Sequence, residues 1–150
     1  MAFPLPMPMR RALDLAAEAA RAGEVPVGAV VSRGETIVAE GRNMMRQGLD
    51  PTAHAEMVAI RAAAAALGSP RLDGCTLWVS LEPCAMCAGA IALARFDALR
   101  FAAEDPKGGG VVHGARVFAQ DTCHHRPDVL GGLGEAEAAA QLRDFFLARR

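Results

Sequence analysis

Four residues in two short motifs have the types and spacing of a metal-dependent active site. Cys84 and Cys87 follow Pro83 in the segment Leu81–Cys87. Cysteines three positions apart lie on one face of a helix, so both sulfurs can reach one metal ion. If they begin a helix, its unpaired N–H groups and its dipole favour the thiolate, which is the form that binds zinc.

The Cys-x-x-Cys spacing by itself does not distinguish a metal site from two further kinds of cysteine pair. A thiol-redox motif occupies the same kind of place, at the start of a helix that follows a strand. Two buried core cysteines would show the same spacing. This motif alone therefore leaves a metal site, a dithiol oxidoreductase and a structural pair open.

The segment Thr52–Glu56 favours the metal site. His54 supplies a third ligand, and two cysteines with one histidine form a catalytic zinc site whose fourth position belongs to water. Residues two apart on a regular helix, such as His54 and Glu56, point in nearly opposite directions. We therefore expect His54 to lie at or just before a helix start, so that Glu56 reaches the site without binding the metal. One Zn²⁺ per chain is predicted.

These residues together suit hydrolytic deamination. Zinc lowers the pKa of a water molecule enough to supply hydroxide near neutral pH. Glu56 is the candidate catalytic acid and base, which would take a proton from that water, pass it to a ring nitrogen and later protonate the departing amine. The order His-x-Glu followed by Pro-Cys-x-x-Cys resembles the signature of zinc-dependent nucleobase deaminases.

The elements that must position these residues alternate between helix and strand. Periodicity and stop signals predict helices at Met9–Ala22, Ala53–Leu67, Cys84–Ala94 and Glu135–Leu147. Strands are predicted at Val25–Val31, Thr36–Ala39, Thr76–Ser80, Ala98–Phe101 and Asp128–Leu130. The first two strands form a hairpin, and Val111–Thr122 has no assignment. This order predicts a single α/β domain over residues 1–150, with a mixed five-stranded sheet and helices on both faces.

Composition places the chain among globular proteins, with 52% hydrophobic and 22% charged residues. The longest apolar run, Cys84–Ala94, is shorter than the ~20 residues that span a bilayer. Prolines also interrupt the apolar start of the chain, so we expect a cytoplasmic protein with no membrane segment. The net charge of −1 gives no indication of a nucleic-acid partner.

The remaining cysteines and histidines are given no role in the chemistry. Cys75 and Cys123 have no ligand partner at metal spacing, so they are interpreted as buried or half-buried thiols. His113, His124 and His125 could form a second site, but a His-His pair in a loop is usually polar surface, and the sequence does not decide their roles.

Nearly the whole chain resembles the bacterial tRNA adenosine deaminase family, which converts the wobble adenosine of an anticodon to inosine. The shared segments are Glu24–Val30, Glu40–Asn43, Asp50–Glu56, Leu81–Ala90, Asp105–Gly109 and Asp144–Arg150. Free-base and nucleoside deaminases share the zinc motifs, so the Asp105–Gly109 loop and the tail helix discriminate better. Gly108–His113 and His124–Arg126 depart from the commoner family pattern.

The resemblance implies a three-layer α/β/α cytidine-deaminase-like fold and a homodimer. It implies that Asn43 hydrogen-bonds the flipped adenine. The groove for neighbouring nucleotides of the anticodon stem-loop would be lined by Asp105, Lys107 and Phe146. Phe145 is instead expected to pack in the core. The helix at Cys84–Ala94, apolar on every face, also favours a dimer, because such a helix must be buried all round.

Three functions remain open at this point. The first is a tRNA anticodon adenosine deaminase, for which Lys107, Arg149 and Arg150 are the cations expected near phosphates. The second is the same chemistry on a free base or nucleoside such as guanine or cytosine, which would prefer a closed pocket. The third is a thiol oxidoreductase using Cys84 and Cys87, which would hold no zinc and would cycle with dithiol reagents.

Overall fold

The fold alternates helices and strands in the predicted order. The computed structural model describes residues 4–149. Its helices are α1 (Met7–Arg21), α2 (Ala55–Leu67), α3 (Ala85–Ala94) and α4 (Glu135–Leu147). Its strands are β1 (Gly28–Arg33), β2 (Thr36–Arg42), β3 (Cys75–Leu81), β4 (Ala98–Ala103) and β5 (Asp128–Gly131). The unassigned stretch contains a short 3₁₀ helix, Val117–Ala119. None of the helices within the described residues is long and apolar enough to cross a membrane.

The five strands form one mixed sheet in the order β2-β1-β3-β4-β5. β1 runs antiparallel to both of its neighbours, whereas β3, β4 and β5 are mutually parallel. The carboxyl ends of β3 and β4 therefore lie at the same edge, with Leu81 paired to Ala103. The chain segments that leave these two strands emerge side by side.

Helices cover both faces of the sheet. Neighbouring residues of β1 point to opposite faces. Val31 packs on the face covered by α2 and α3, and Val30 packs on the face covered by α1 and α4. Buried Ile91 of α3 belongs to the first cluster, and Leu13 of α1 belongs to the second. The predicted three-layer α/β/α fold with a mixed five-stranded sheet is confirmed.

All five strands differ from the prediction at one end or both, and β3 and β5 differ by only one residue at an end. β1 begins at Gly28 rather than Val25, because Pro26 has no N–H to donate and the Val27 N–H turns back to the Val25 carbonyl at 2.8 Å. β2 and β4 are longer than predicted. The polar end of β2 pairs with β1 up to Arg42. Glu40 in this part of the strand forms an ion pair with Arg11, with Oε2 and Nε 2.7 Å apart.

Close packing of α2 on β2 fixes where the first turn of α2 lies. A Cβ atom at Gly41 would lie 2.5 Å from the carbonyl oxygen of Ala55 and 2.6 Å from the amide nitrogen of Ala59. Only a glycine lets the strand and the helix backbone approach this closely. Any side chain at this position would push the start of α2 away from the sheet.

Candidate active site

Two helices begin at the same edge of the sheet, and each begins at a metal-ligand candidate. His54 is the N-cap of α2 and Cys84 is the N-cap of α3, both with extended backbone. Cys87 lies in the first turn of α3 and is buried. The prediction that His54 lies just before a helix start is confirmed. The predicted helices at Ala53–Leu67 and Cys84–Ala94 start one or two residues too early, because these ligands cap the helices rather than continue them.

The three ligand atoms have the spacing of a tetrahedral zinc site. Nδ1 of His54 lies 3.5 Å from Sγ of Cys84 and 3.5 Å from Sγ of Cys87. Ideal Zn–S and Zn–N distances with a tetrahedral angle put a sulfur and a nitrogen ligand about 3.6 Å apart. All three ligand atoms lie within 4.8 Å of one another. Two sulfurs and one imidazole nitrogen also form the donor set that suits zinc, so the residues fit this metal.

The two thiols shift each other's pKa in opposite directions. Hydrogen bonds from Cys87 and His54 lower the pKa of the Cys84 thiol, whereas the hydrogen bond to Cys84 and burial raise the pKa of Cys87. A bound dication would favour the thiolate form of both residues.

Glu56 lies in the first turn of α2 and is only 4% exposed. Burial raises the pKa of its carboxyl group to about 7, against opposing contributions that include the charge of His54. A carboxyl group with this pKa can both accept and release a proton near neutral pH, which a general acid and base must do. His54 and Glu56 face one cavity despite their separation of two residues, because His54 is not yet helical.

This cavity has a volume of about 280 Å³, and His54, Glu56 and Cys84 are among the residues that line it. Val25, Val27 and Met45 contribute apolar surface, and polar atoms come from Asn43, His54, Glu56 and Asp105. Apolar walls with a few placed polar groups are typical of a small-molecule or nucleobase site. Lys107 and Phe146 lie outside the lining of this cavity.

Asn43 is already engaged by the backbone on both sides of its amide group. Its Oδ1 accepts a hydrogen bond from the Ala55 N–H at 2.8 Å, and its Nδ2 donates to the Val25 carbonyl at 3.1 Å. One N–H and one lone pair of the amide remain for a ligand. Asn43 therefore positions the start of α2, and its contact with adenine stays a prediction.

The tail helix α4 ends beside the cavity. Phe145 is buried, as predicted, and the Arg149 guanidinium lies 3.5 Å from the centre of its ring. Phe146 is 51% exposed and meets Phe145 edge to face. Phe145 and Arg149 line a second cavity of about 190 Å³ that shares Asn43 with the first. Arg150 lies outside the described residues.

Two buried carboxylates near the cavity were missed by the sequence reasoning. Glu24 accepts the N–H groups of Arg46 and Gln47 at 3.1 and 2.8 Å. Burial alone would raise the pKa of Glu82, but hydrogen bonds from the backbone of Asp105 and from His113, with further backbone N–H groups, lower it. For Glu82 the sequence did contain a signal, because this charged residue stands between a predicted strand and Pro83 inside an apolar segment. His113, whose role the sequence left open, is half-buried and lies with Nδ1 2.8 Å from Oε1 of Glu82.

The fold and the site define a zinc-binding deaminase. Residues 7–103 match the family described as the cytidine and deoxycytidylate deaminase zinc-binding region, and the chain belongs to this family. A tRNA-specific adenosine deaminase of Agrobacterium fabrum is 50% identical over 142 residues, which cover 95% of this chain and 93% of the relative.

Two solved structures are similar to the whole fold. One comes from a study of A-to-I editing by tRNA deaminases at the wobble position of transfer RNA. It has a TM-score of 0.89 and 49% identity, covering 91% of this chain and 99% of the other. The second, a guanine deaminase from Nitrosomonas europaea, has a TM-score of 0.81 and 27% identity, covering 97% and 85%. A thiol oxidoreductase is not supported by any of these relationships.

Metal analysis distinguishes the ligands from the proton carrier. Cys87→Ala should lose zinc because it removes one of three ligands, whereas Glu56→Ala should retain about one zinc per chain. Cys75→Ala is the matched control, since Cys75 is buried but lies outside the ligand cluster. Zinc content per protein, measured by mass spectrometry, checks all three. Zinc loss in Glu56→Ala equal to that in Cys87→Ala would make Glu56 a ligand.

Proposed function

We propose that the protein deaminates the wobble adenosine of a tRNA anticodon to inosine. The observation that carries the proposal is the cluster of His54, Cys84 and Cys87 beside buried Glu56, in a chain that matches a tRNA-specific adenosine deaminase over nearly its full length. The cluster accounts for the reaction type. The extent of the match supports tRNA as the substrate.

The residues divide the chemistry between holding the metal and moving protons. His54, Cys84 and Cys87 hold the zinc ion, which when bound makes water acidic enough to act as a nucleophile near neutral pH. The carboxylate of Glu56 would take one proton from the attacking water and deliver it to a ring nitrogen as the new C–O bond forms. It would then take the second proton from the new hydroxyl group and pass it to the amine, which leaves as ammonia while the carbonyl forms. Burial raises the pKa of this carboxyl group to about 7, which suits a group that both accepts and releases a proton.

The cavity has the groups needed to hold one base in place. Val25, Val27 and Met45 provide apolar contact for a flat ring, which also limits the access of bulk water. The free N–H and lone pair of Asn43 match a base edge that carries both an acceptor and a donor. Asp105 at the rim, with Lys107 and Phe146 further out, is proposed to contact the neighbouring nucleotides.

A second candidate is the deamination of free guanine. The guanine deaminase of similar fold favours it, although its sequence identity is much lower than that of the tRNA-specific relatives. The zinc site and Glu56 would serve either substrate equally. The surface around the cavity must therefore distinguish them.

A direct substrate comparison tests the proposal. The purified protein should form inosine in an anticodon stem-loop RNA and release little ammonia from free adenosine, cytosine or guanine. Glu56→Ala is the control and should lower kcat on every substrate by roughly 10²–10⁴-fold, the contribution of general acid–base catalysis. Ammonia from guanine with no inosine in the RNA would replace the proposal by the second candidate.

A salt titration of RNA binding should distinguish residues that contact phosphates from residues that contact bases. Replacing Arg149 and Arg150 by glutamine should weaken stem-loop binding, and the slope of log affinity against log salt should fall by roughly one per lost phosphate contact. Asn43→Ala should greatly reduce turnover and leave that slope nearly unchanged, because it removes no charge. An unchanged slope in the double arginine variant would mean that the tail is only a solvated helix end.

A homodimer is proposed from the outer surface of α3. The sheet covers only the inner face of this helix, where Cys87, Ala88 and Ile91 are buried. On the outer face Leu93 is 79% exposed, beside a surface cavity of about 410 Å³ that His124 and His125 also line. A second subunit would remove this apolar surface from water.

Sedimentation tests the dimer. The protein should sediment as a dimer at micromolar concentration, and Leu93→Asp should shift it to a monomer, because a buried charge without a partner strongly disfavours an interface. Leu130→Asp is the matched control, since Leu130 is exposed on β5 rather than on α3. A monomeric wild-type protein would contradict the proposal.

A further inference from the structure

The loop at residues 105–113, here called the mouth loop, is built around one buried carboxylate. Its first residue, Asp105, and Gly108 line the catalytic cavity. Glu82, at the end of β3, is buried beneath the loop, and its side chain is 0% exposed. No step of the proposed chemistry uses this carboxylate.

Five hydrogen-bond donors converge on Glu82, and all of them belong to the mouth loop. Oε1 accepts the backbone N–H of Asp105 at 3.0 Å and Nδ1 of His113 at 2.8 Å. Oε2 accepts the backbone N–H groups of Val111, Val112 and His113 at 3.1, 3.0 and 3.1 Å. An ionised carboxylate only accepts hydrogen bonds, so Nδ1 of His113 carries the hydrogen.

The backbone of the loop is also in close contact with this carboxylate at Gly109. A Cβ atom at Gly109 would lie 2.3 Å from Oε2 of Glu82 and 2.6 Å from the Asp105 carbonyl oxygen. The N–H of Gly110 donates to the carbonyl of Pro83 at 2.8 Å, next to the metal-ligand segment. The glycines therefore allow the backbone to wrap around Glu82 while it stays attached to the start of α3.

Glu82 also fixes the residues at the rim of the cavity, because it holds Asp105 in place. Asp105, whose N–H is held by Glu82, uses its own Oδ1 to accept the N–H groups of Lys107 at 3.2 Å and Gly108 at 3.0 Å. The turn that carries Lys107 is therefore built on Asp105, and Asp105 is fixed by Glu82. Buried charges are tolerated only with such compensation, so the loop and the carboxylate depend on each other.

We propose that Glu82 is a positioning residue which, with His113, holds the mouth loop in the shape that presents Asp105 and Lys107 to the RNA nucleotides beside the target base. The identity of the ligand as RNA rests on the proposed function. Glu82 acts on substrate affinity through the loop, and the metal and Glu56 are left to set the rate of the chemical step.

The first test replaces the carboxylate by an amide of the same shape. Glu82→Gln places one N–H against groups that themselves donate, so the KM for stem-loop RNA should rise about tenfold, the effect of losing roughly one charge-assisted hydrogen bond. Zinc content should be unchanged, and kcat should stay within about threefold, since the catalytic groups are intact. An unchanged KM, or a fall in kcat with KM unchanged, would overturn the proposal.

The second test replaces His113 instead of Glu82. Glu82 lies only two residues from the candidate ligand Cys84, whereas His113 contacts the same carboxylate from the loop. His113→Ala removes one donor and should raise KM, whereas His113→Asn should restore it, because Nδ2 of asparagine occupies nearly the position of Nδ1 of histidine. Glu35→Ala is the control, since Glu35 is exposed in the turn between β1 and β2, outside the mouth loop and outside the lining of the surface cavity at α3. Failure of His113→Asn to recover any affinity, with His113→Ala impaired, would overturn the pairing with Glu82.

Hydrogen exchange separates this proposal from the proposed function. The amides of Val111, Val112 and His113 should exchange about tenfold faster in Glu82→Gln and in His113→Ala than in the wild-type protein, as expected for local opening made easier by one such bond. Unchanged exchange would overturn the anchor whatever the substrate is. Wild-type protein inactive on stem-loop RNA would overturn the proposed function, and the exchange rates would still decide the role of Glu82.

Discussion

The sulfurs of Cys84 and Cys87 each lie 3.5 Å from Nδ1 of His54, a spacing that holds only while two helices begin at one point of the sheet edge. α3 is placed there by β3, whose carboxyl end leads through Pro83 directly into Cys84. α2 is placed there by its close contact with β2 at Gly41. A shift of either helix start by about one ångström would take the ligands outside the range that zinc accepts.

Three buried carboxylates lie in or beside the cavity, and their environments give them different properties. Glu24 accepts two backbone N–H groups and Glu82 accepts four, so both fix loops that border the cavity. For Glu56 burial dominates and raises the pKa to about 7, whereas hydrogen bonds lower the pKa of Glu82. A glutamate thus fixes a loop where several N–H groups donate to it. It can carry protons where the effect of burial on its pKa exceeds the effect of its hydrogen bonds.

The division between chemistry and recognition follows from where the groups are attached. The candidate zinc ligands and Glu56 lie at the N-caps and in the first turns of two helices that the sheet holds in place. The groups at the rim lie on loops and on the last turn of α4. Loops that are anchored by a few buried groups can change sequence without disturbing the metal site. The Gly108–His113 segment closes over the carboxylate of Glu82 through backbone N–H groups.

Local spacing was enough to propose the metal ligands and the proton carrier from sequence and to predict the order of the elements. The separation of His54 and Glu56 also predicted that a helix begins at or just after His54, as it does. The groups that hold the rim could be identified only from contacts in the folded chain. The bonds of Asn43 to Val25 and Ala55, and those of Glu82 to a loop 23 to 31 residues away, join segments that no local pattern connects. Buried hydrogen bonds of this kind form only after the sheet brings β2, β3 and β4 together, so their partners are set by the fold.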